Sequence, residues 1–536
     1  MDAVLTAAQM SEIDDSAQRD WGIPSLVLME HAGFALNESL KRHMCACGHT
    51  RSGVSRVYVV AGRGNNGGDG LVMARLSAIE GRYGVVIVDA GCTTASSLSQ
   101  TGIHLASCRA LGVPVISGED LPDALNPGDW IVDAISGTGI RGALRDDKQR
   151  LVERLNAIVH GNKPDFDGRT HSTRAFVFSV DVPSGLGDEF RDTFPVLDAD
   201  VTGTVGWYKR CLLTPAGRRH CGVIELLDIY FPRELNPELP VISCLGESDI
   251  ATFMPPIAET AHKGIRGHLA IVAGSSGSAG AALLAATAAS NARIGLVSLL
   301  ADASLASGVE GLRPQVMVHA SDDPVADIST FARRIDALLI GPGWGTGGKR
   351  RQTLSGLIAK TRRGVIDADG LTLLSEMQHG DFASLAEGDW LVTPHPGECA
   401  RMAGRPVSDV LEFPDSVAAE FAGRYGVTVL LKAAACWIAT PDGMLSVFDG
   451  AHRAGGVGGS GDVLAGVCGA LMTSGLNAAA AASAAVVIHA RAVREAFAAY
   501  GWFHADTLAS SVGGAIATLE MQSFGAEGCN GGRNVP

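Results

Sequence analysis

The sequence predicts two α/β/α domains in one chain, on three observations. At 536 residues the chain exceeds what one ordinary hydrophobic core organises, so two or more domains are expected. Short apolar runs recur along it, each ending in glycine, asparagine or aspartate, with helix-like stretches between them. A proline-rich interval divides those runs into two sets.

The first set is Val57–Ala61, Val85–Asp89, Trp130–Asp133 and Phe176–Asp181. The second is Leu269–Ala273, Leu296–Leu300, Ala337–Ile340, Trp390–Thr393 and Val427–Lys432. Continuous Val/Ile/Leu runs, rather than alternation, suit parallel strands covered on both faces. Leu71–Glu80 and Ala281–Asn291 read as helices between them. Ligands of such sheets sit beyond the carboxyl ends of the strands, where the glycines and acids of this chain cluster. The divide falls between Asp228 and His262. Phe231–Pro240 holds three prolines among charged residues and Met254–Pro256 two more, which block helix and central strand alike. The expected organisation is a domain over 1–230, a linker over 231–250 and a domain over 251–525. The Gly- and Asn-rich tail after Gly525 is expected to fray.

Composition narrows the class. Hydrophobic residues make up 46% and charged residues 19%, the balance of a soluble globular protein. A formal charge of −14 argues against a nucleic-acid partner, though helix N-termini and backbone amides can still bind phosphate. Eleven cysteines show no repeated spacing, and Cys45 with Cys47 lacks a second pair at zinc-site distance. Free thiols in a reducing cytosol are expected. Met1–Met10 has no basic segment followed by an apolar core, so no signal peptide is expected. Ala478–Ala490 is short of the ~20 residues of a membrane span and reads as a buried helix. A cytoplasmic protein with no membrane partner follows.

In the first half, Val57–Ala61 runs into Gly62-Arg63-Gly64-Asn65-Asn66-Gly67-Gly68-Asp69-Gly70. Gly62, Gly64 and Gly67 match the G-x-G-x-x-G fingerprint, and Asp89 ends the next strand about where a ribose-binding acid falls. This is the Rossmann-like pattern. A ligand-free strand-to-helix turn needs glycines too, but it has no need of Asn-Asn and Asp69 in a row. Two further strand ends carry polar turns: Asp133 with Ser136-Gly137-Thr138-Gly139, and Asp181-Val182-Pro183-Ser184-Gly185. One such aspartate is often a helix cap; three successive polar turns exceed capping.

Together with Leu28-Met29-Glu30-His31-Ala32-Gly33, these motifs resemble NAD(P)H-hydrate epimerase over residues 1–230. The resemblance implies that Asn65, Asn66, Gly67, Gly68 and Asp69, with Gly137, Thr138, Gly139, Ile140, Arg141, Gly142 and Ala143, bind the hydrated nucleotide. It implies a potassium ion on Asn66, Asp133 and Ser184, oxygen donors suited to a hard cation. Asp181 would touch the substrate and act as the acid–base group. Lys209 is a weaker candidate, a surface lysine being commoner.

The second half holds His262-Lys263-Gly264, Gly274–Ala282, Gly341-Pro342-Gly343, Asp367-Ala368-Asp369, Thr393-Pro394-His395-Pro396-Gly397-Glu398 and Gly458-Gly459-Ser460-Gly461-Asp462. A glycine-rich turn opening a helix, with an aspartate one step inside, offers amides for phosphate and a base for a hydroxyl. An N-capping aspartate on Asp462–Leu471 is the structural alternative. The set resembles the ADP/ATP-dependent NAD(P)H-hydrate dehydratases, a ribokinase-like family, over about residues 250–500. The resemblance implies that Ala281, Gly343, His395 and Asp462 hold the hydrate, with Asp462 catalytic. Lys432, Ala433, Ala434, Ala435, Cys436 and Gly461 would take ADP or ATP with magnesium. The implied chemistry phosphorylates the 6-hydroxyl of the S hydrate, then expels phosphate to restore NAD(P)H, releasing AMP or ADP.

The chain departs from the family where Lys-Gly-x-Gly-Thr is replaced by Lys432-Ala433-Ala434-Ala435-Cys436, and where Val457 replaces a threonine. Alanine costs about 1 kcal/mol or more wherever glycine had supplied φ > 0. The expectation is a homo-oligomeric bifunctional enzyme that epimerises the R and S hydrates and dehydrates the S form. A ribokinase-like small-molecule kinase, an epimerase with a degenerate C-terminal binding domain, and a dinucleotide-dependent dehydrogenase are the alternatives.

Overall fold

The computed structural model describes the backbone of residues 1–48, 55–161, 175–235, 242–331, 335–377 and 383–530. The chain divides into two compact units, Asp2–Val241 and Ile242–Pro536. Among the described residues no helix is long and apolar enough to cross a membrane.

The strands of the first unit are β1 (Asp2–Leu5), β2 (Arg56–Ala61), β3 (Gly84–Asp89), β4 (Val115–Ser117), β5 (Trp130–Ala134), β6 (Phe176–Val180), β7 (Val201–Val205), β8 (Tyr208–Lys209) and β9 (Val223–Leu227). Seven form a parallel sheet in the order β4-β3-β2-β5-β6-β7-β9, and β1 pairs with β8. Side chains alternate across the sheet, as the two-residue period of a strand dictates. Val57 and Val59 of β2 pack with Leu36 and Leu40 of helix Ser25–Ala46. Tyr58 and Val60 pack with Val152 and Leu155 of helix Asp146–Gly161. That makes three layers. Because β2 lies between β3 and β5, the chain runs outward in one direction and then the other. A crevice opens at that switch.

In the second unit the strands are β10 (Ile242–Cys244), β11 (His268–Val272), β12 (Leu296–Ala301), β13 (Val316–Ala320), β14 (Ala337–Ile340), β15 (Arg363–Ile366), β16 (Asp389–Val392), β17 (Thr428–Leu431), β18 (Ala435–Ala439) and β19 (Leu445–Asp449). They follow the order β13-β12-β11-β14-β15-β16-β17-β18-β19-β10, with the switch between β11 and β14. The sheet is parallel through β17, but β18 runs antiparallel to both neighbours. Three residues between β17 and β18, and five between β18 and β19, are too few for a parallel crossover. Leu269 and Ile271 face a layer with helices Ser460–Thr473 and Ala478–Tyr500, while Ala270 and Val272 face the other side.

Every apolar run expected as a strand is one, shifted by at most a residue at its ends. The helix expected over Leu71–Glu80 starts earlier, at Asn65. Its first turn tolerates glycines because the backbone packs too closely for side chains: a Cβ on Gly67 would lie 2.0 Å from the Gly62 carbonyl oxygen. The expected fraying after Gly525 is not seen up to residue 530. Helix Ala505–Asn530 runs through it, and residues 531–536 lie outside the described set.

Candidate functional sites

A cleft of about 730 Å³ opens beyond the carboxyl ends of β2, β5 and β6. Asn65, Asn66, Asp69, Gly137, Thr138, Gly139, Ile140, Arg141, Ala143 and Asp181 all line it. Gly67, Gly68 and Gly142 are not on its wall. Gly67 backs onto Gly62, and a Cβ on Gly68 would sit 2.5 Å from Met29 Sδ. Of the three fingerprint glycines, Gly62 and Gly67 are therefore crowded by the chain itself. Gly64 alone has open space before it and lines the cleft.

Asp181 stands directly after β6 with φ 64, a left-handed conformation uncommon outside glycine, in which Asp and Asn are enriched. Its Oδ1 accepts from Thr204 Oγ1 at 3.2 Å and Val205 N at 3.3 Å, and pairs with Lys209 Nζ at 2.5 Å. Lys209 is not the surface lysine the sequence suggested. It is 1% exposed, lines the cleft, and also donates to the Val205 carbonyl at 2.6 Å. Two more acids share this ammonium's field. Burial pushes Asp69 well above the usual carboxyl range, with Asp181 and Asp14 adding to it and Lys209 opposing. Burial likewise raises Asp14 to about 6, against the pull of Lys209. Asp89 corrects an expectation. It does not line the cleft; its carboxylate accepts from Gly91 N at 2.9 Å, Thr93 N at 3.2 Å and the Thr93 hydroxyl, capping its own loop.

Asp133 and Ser184 are brought into contact, both fully buried. Ser184 donates its hydroxyl to Asp133 Oδ1 at 2.5 Å and its amide to Oδ2 at 2.8 Å, while Ser179 donates to Oδ2 at 2.9 Å. Among the described residues no basic side chain pairs with Asp133. Burial, opposed by those hydrogen bonds, holds its carboxyl above the usual value. A buried acid without a counter-cation, amid oxygen donors, fits a monovalent cation. Asn66, whose buried side-chain nitrogen has no partner among the described residues, packs against Gly137 on the cleft wall. Among the described residues no cluster of three or more His, Cys, Asp or Glu is arranged for a metal ion, and none of the ten described cysteines is in a disulfide.

In the second unit, four charged groups converge beyond β15, β16 and β17. Lys432 Nζ pairs with Asp367 Oδ1 at 2.5 Å, and a Cβ on Gly461 would lie 3.4 Å from that same Nζ. Burial pulls the Lys432 ammonium down, but Asp367 outweighs it, and Glu398 and Asp462 also favour the charge. Burial pushes Asp462 up to about 6, with Asp367 adding and Lys432 opposing. Asp462 lies in the first turn of helix Ser460–Thr473 without capping it, so the capping alternative fails. His395 caps helix Pro396–Ala403: its Nδ1 accepts from Gly397 N at 3.0 Å, and its own amide donates to Glu398 at 2.9 Å. Gly343 packs against Ser278 and Ala281, where a Cβ would lie 2.6 Å from the Ser278 carbonyl oxygen. None of Ala433, Ala434 or Ala435 has positive φ, so the backbone cost considered for those alanines does not arise. Cys436 turns its thiol back to the Ala433 carbonyl at 3.2 Å.

Sequence reasoning missed Asp14, the pairing of Lys432 with Asp367, and His489. Burial lowers His489 to about 4, and its Nε2 lies 3.0 Å from Ser460 Oγ, behind the turn that carries Gly461. A histidine inside the Ala-rich run Ala478–Ala490 was the available signal.

Two α/β units built on largely parallel sheets, each gathering buried acids and a lysine beyond its strand ends, define a two-domain α/β protein of the small-ligand-binding class. Residues 25–211 match the family model of the YjeF-related protein N-terminus, and residues 269–513 match that of NAD(P)H-hydrate dehydratase. The bifunctional NAD(P)H-hydrate repair enzyme of Moorella thermoacetica is 31% identical over 521 residues, covering 92% of each chain. That of Gloeobacter violaceus is 33% identical over 519 residues, covering 91% of this chain and 92% of the relative. The Escherichia coli K12 relative is 30% identical over 451 residues, covering 83% of this chain and 81% of its own. The ADP/ATP-dependent NAD(P)H-hydrate dehydratase of Bacillus subtilis, co-crystallised with ATP and Mg²⁺, aligns at 24% identity and a TM-score of 0.46, over 52% of this chain and 99% of that one. The chain belongs to the bifunctional NAD(P)H-hydrate repair enzyme family.

Proposed function

We propose that the chain returns hydrated NADH and NADPH to use, with 1–230 as the epimerase domain, 231–250 as a linker whose strand Ile242–Cys244 joins the second sheet, and 251–525 as the dehydratase domain. The observation that carries this is that both halves match their family models while each gathers an unusual excess of buried acid at its strand ends.

In the first domain the hydrate lies along Asn65, Gly137–Arg141 and Asp69, with Gly64 leaving its amide open to the pyrophosphate. Asp181, paired with Lys209, takes or returns a proton at the hydroxyl of the hydrated carbon. Asp133, Ser184 and Asn66 are the residues that would hold a potassium ion, which would supply positive charge for the bound nucleotide.

In the second domain the hydrate meets Ala281, Gly343 and His395, and Asp462 accepts the proton of its 6-hydroxyl. That oxygen attacks the terminal phosphoryl group of ADP or ATP, and AMP or ADP leaves. Departure of the phosphate with loss of the C5 proton restores the ring double bond. Lys432 and the amides at Gly461 balance charge on the transferring group. Glu398 and Asp462 are the carboxylates that would hold magnesium brought with the nucleotide, which would neutralise charge on the phosphates. The alanines of the 433–435 loop keep ordinary backbone angles, which supports retained nucleotide binding.

A cytoplasmic location fits ten described cysteines with no disulfide among them. Homo-oligomers are expected, and a monomer mass by light scattering would overturn that point. The reading as a whole is tested with purified S hydrate. NADH absorbance should return with ADP or ATP and stay flat without nucleotide. No return at millimolar nucleotide leaves the second domain a binding remnant.

A further inference from the structure

We propose that Asp14 is a second proton-carrying group of the first unit's cleft, working with Asp181 on the bound hydrate. This rests on the epimerase reading above.

Helix Ala7–Arg19 is fixed at its start by a capping box, in which Thr6 Oγ1 accepts from Gln9 N at 3.3 Å and Gln9 Oε1 accepts from Thr6 N at 2.8 Å. Its inward stripe is Met10, Asp14 and Ala17, at the i, i+4, i+7 spacing of one helix face. Met10 packs with Leu5 and Trp207, and Ala17 with Leu28 and Leu235. A third apolar residue would complete that stripe. Instead a carboxylate is clamped between two anchors and lines the cleft. Among the described residues neither oxygen of that carboxylate accepts a hydrogen bond, whereas Asp181 is held by Lys209, Thr204 and Val205.

The geometry of the cleft gives the two acids different partners. One buried ammonium, Lys209, faces Asp181, Asp69 and Asp14, and it pairs directly with Asp181 alone. Burial, with Asp181 adding to it, pushes Asp69 and Asp14 above the usual carboxyl range, toward holding protons. For Asp14 the groups involved are Lys209, Asp181 and its own neighbour Asp15, on top of burial.

Epimerisation needs such a pair. A proton delivered to the C6 hydroxyl lets it leave as water, with the ring-nitrogen lone pair forming the C6–N1 iminium. Water then adds to the opposite face and gives its extra proton to an ionised carboxylate. No electrons are gained or lost and one water leaves and returns. One acid has lost a proton and the other has gained one, so the reverse reaction uses them in exchanged roles.

The test is full-length Asp14→Asn and Asp14→Glu beside wild type, with R and S hydrates separated by chromatography over time and hydrate affinity measured by calorimetry. The expected result is a 10²–10⁴-fold loss of epimerisation kcat in Asp14→Asn. Hydrate Kd should stay within about threefold, the pH-rate limb near 6 should disappear, and Asp14→Glu should recover part of the rate. Wild-type rates in Asp14→Asn overturn the inference, and so does a rate loss matched by an equal loss of affinity. A wild-type chain that leaves the epimers at their uncatalysed rate instead overturns the epimerase reading and this inference with it.

Discussion

Removing either partner of the Lys432–Asp367 pair should move the second unit's pH profile in opposite directions. The pair is buried, with Asp367 1% and Lys432 18% exposed, and its Nζ sits beside the turn that carries Gly461 and Asp462. Lys432 favours the ionised form of Asp462 and Asp367 disfavours it, leaving Asp462 at about 6. An adjacent charge shifts a carboxyl by roughly 1–3 pKa units. Lys432→Met should therefore raise the acidic limb of NADH recovery by about one unit or more, since Asp462 must be ionised to act as base. Asp367→Asn should lower that limb. Each single variant also strands a buried charge, at about 3–5 kcal/mol of unfolding stability, and the double variant should regain much of it. The assay is ADP-dependent return of NADH absorbance from S hydrate at pH 5 to 8, with thermal melts alongside. Limbs that move together, or not at all, would refute the claim that Asp462 answers to this pair.

Three further outcomes are expected. Asp462 titrates at about 6 in the fold against an ordinary 3.8, so stability is fully present below about pH 4 and lost as pH rises through 6. Asp462→Asn should then raise the second unit's stability at pH 7.5 by about 1–3 kcal/mol while abolishing dehydration, and an unchanged melting temperature would count against it. Gly62→Ala places a Cβ 2.0 Å from the Ile135 carbonyl oxygen and should cost the first unit several kcal/mol by denaturant titration. Gly64→Ala meets open space, so it should leave stability alone and weaken hydrate affinity. Replacing potassium by choline should slow epimerisation without changing ADP-dependent dehydration of S hydrate, because the uncompensated carboxylate of Asp133 lies in the first unit. Equal epimerisation rates in both salts would remove the cation from the site.

The strands that bury both faces were legible as apolar runs, because a two-face-covered strand has no polar positions to interrupt it. Among the strands that escaped notice, three carry threonine, histidine or arginine: Val201–Val205 reads Val-Thr-Gly-Thr-Val, Val316–Ala320 lies at the sheet edge, and Arg363–Ile366 spans four residues. Period and composition cannot separate such segments from loops. Loop motifs located both candidate sites, since Gly, Asn and Asp at strand ends have few structural uses in such number. What the motifs could not give was pairing. Lys209 sits at the end of a two-residue strand, and only the fold turns it inward onto Asp181. Lys432 stands 65 residues from Asp367, and three strands in register bring their ends together. Asp14 was readable in principle, as a charge on an otherwise apolar helix stripe, but it belongs to no motif.

That one chain carries both activities is tested most directly with purified R hydrate. With ADP or ATP present, wild type should convert all of it to NADH, faster than uncatalysed epimerisation allows, with S hydrate appearing transiently. Asp181→Asn should then be limited to the uncatalysed rate, and Asp462→Asn should stop at a mixture of R and S. Recovery of NADH from S hydrate alone, or none from either epimer, would contradict it.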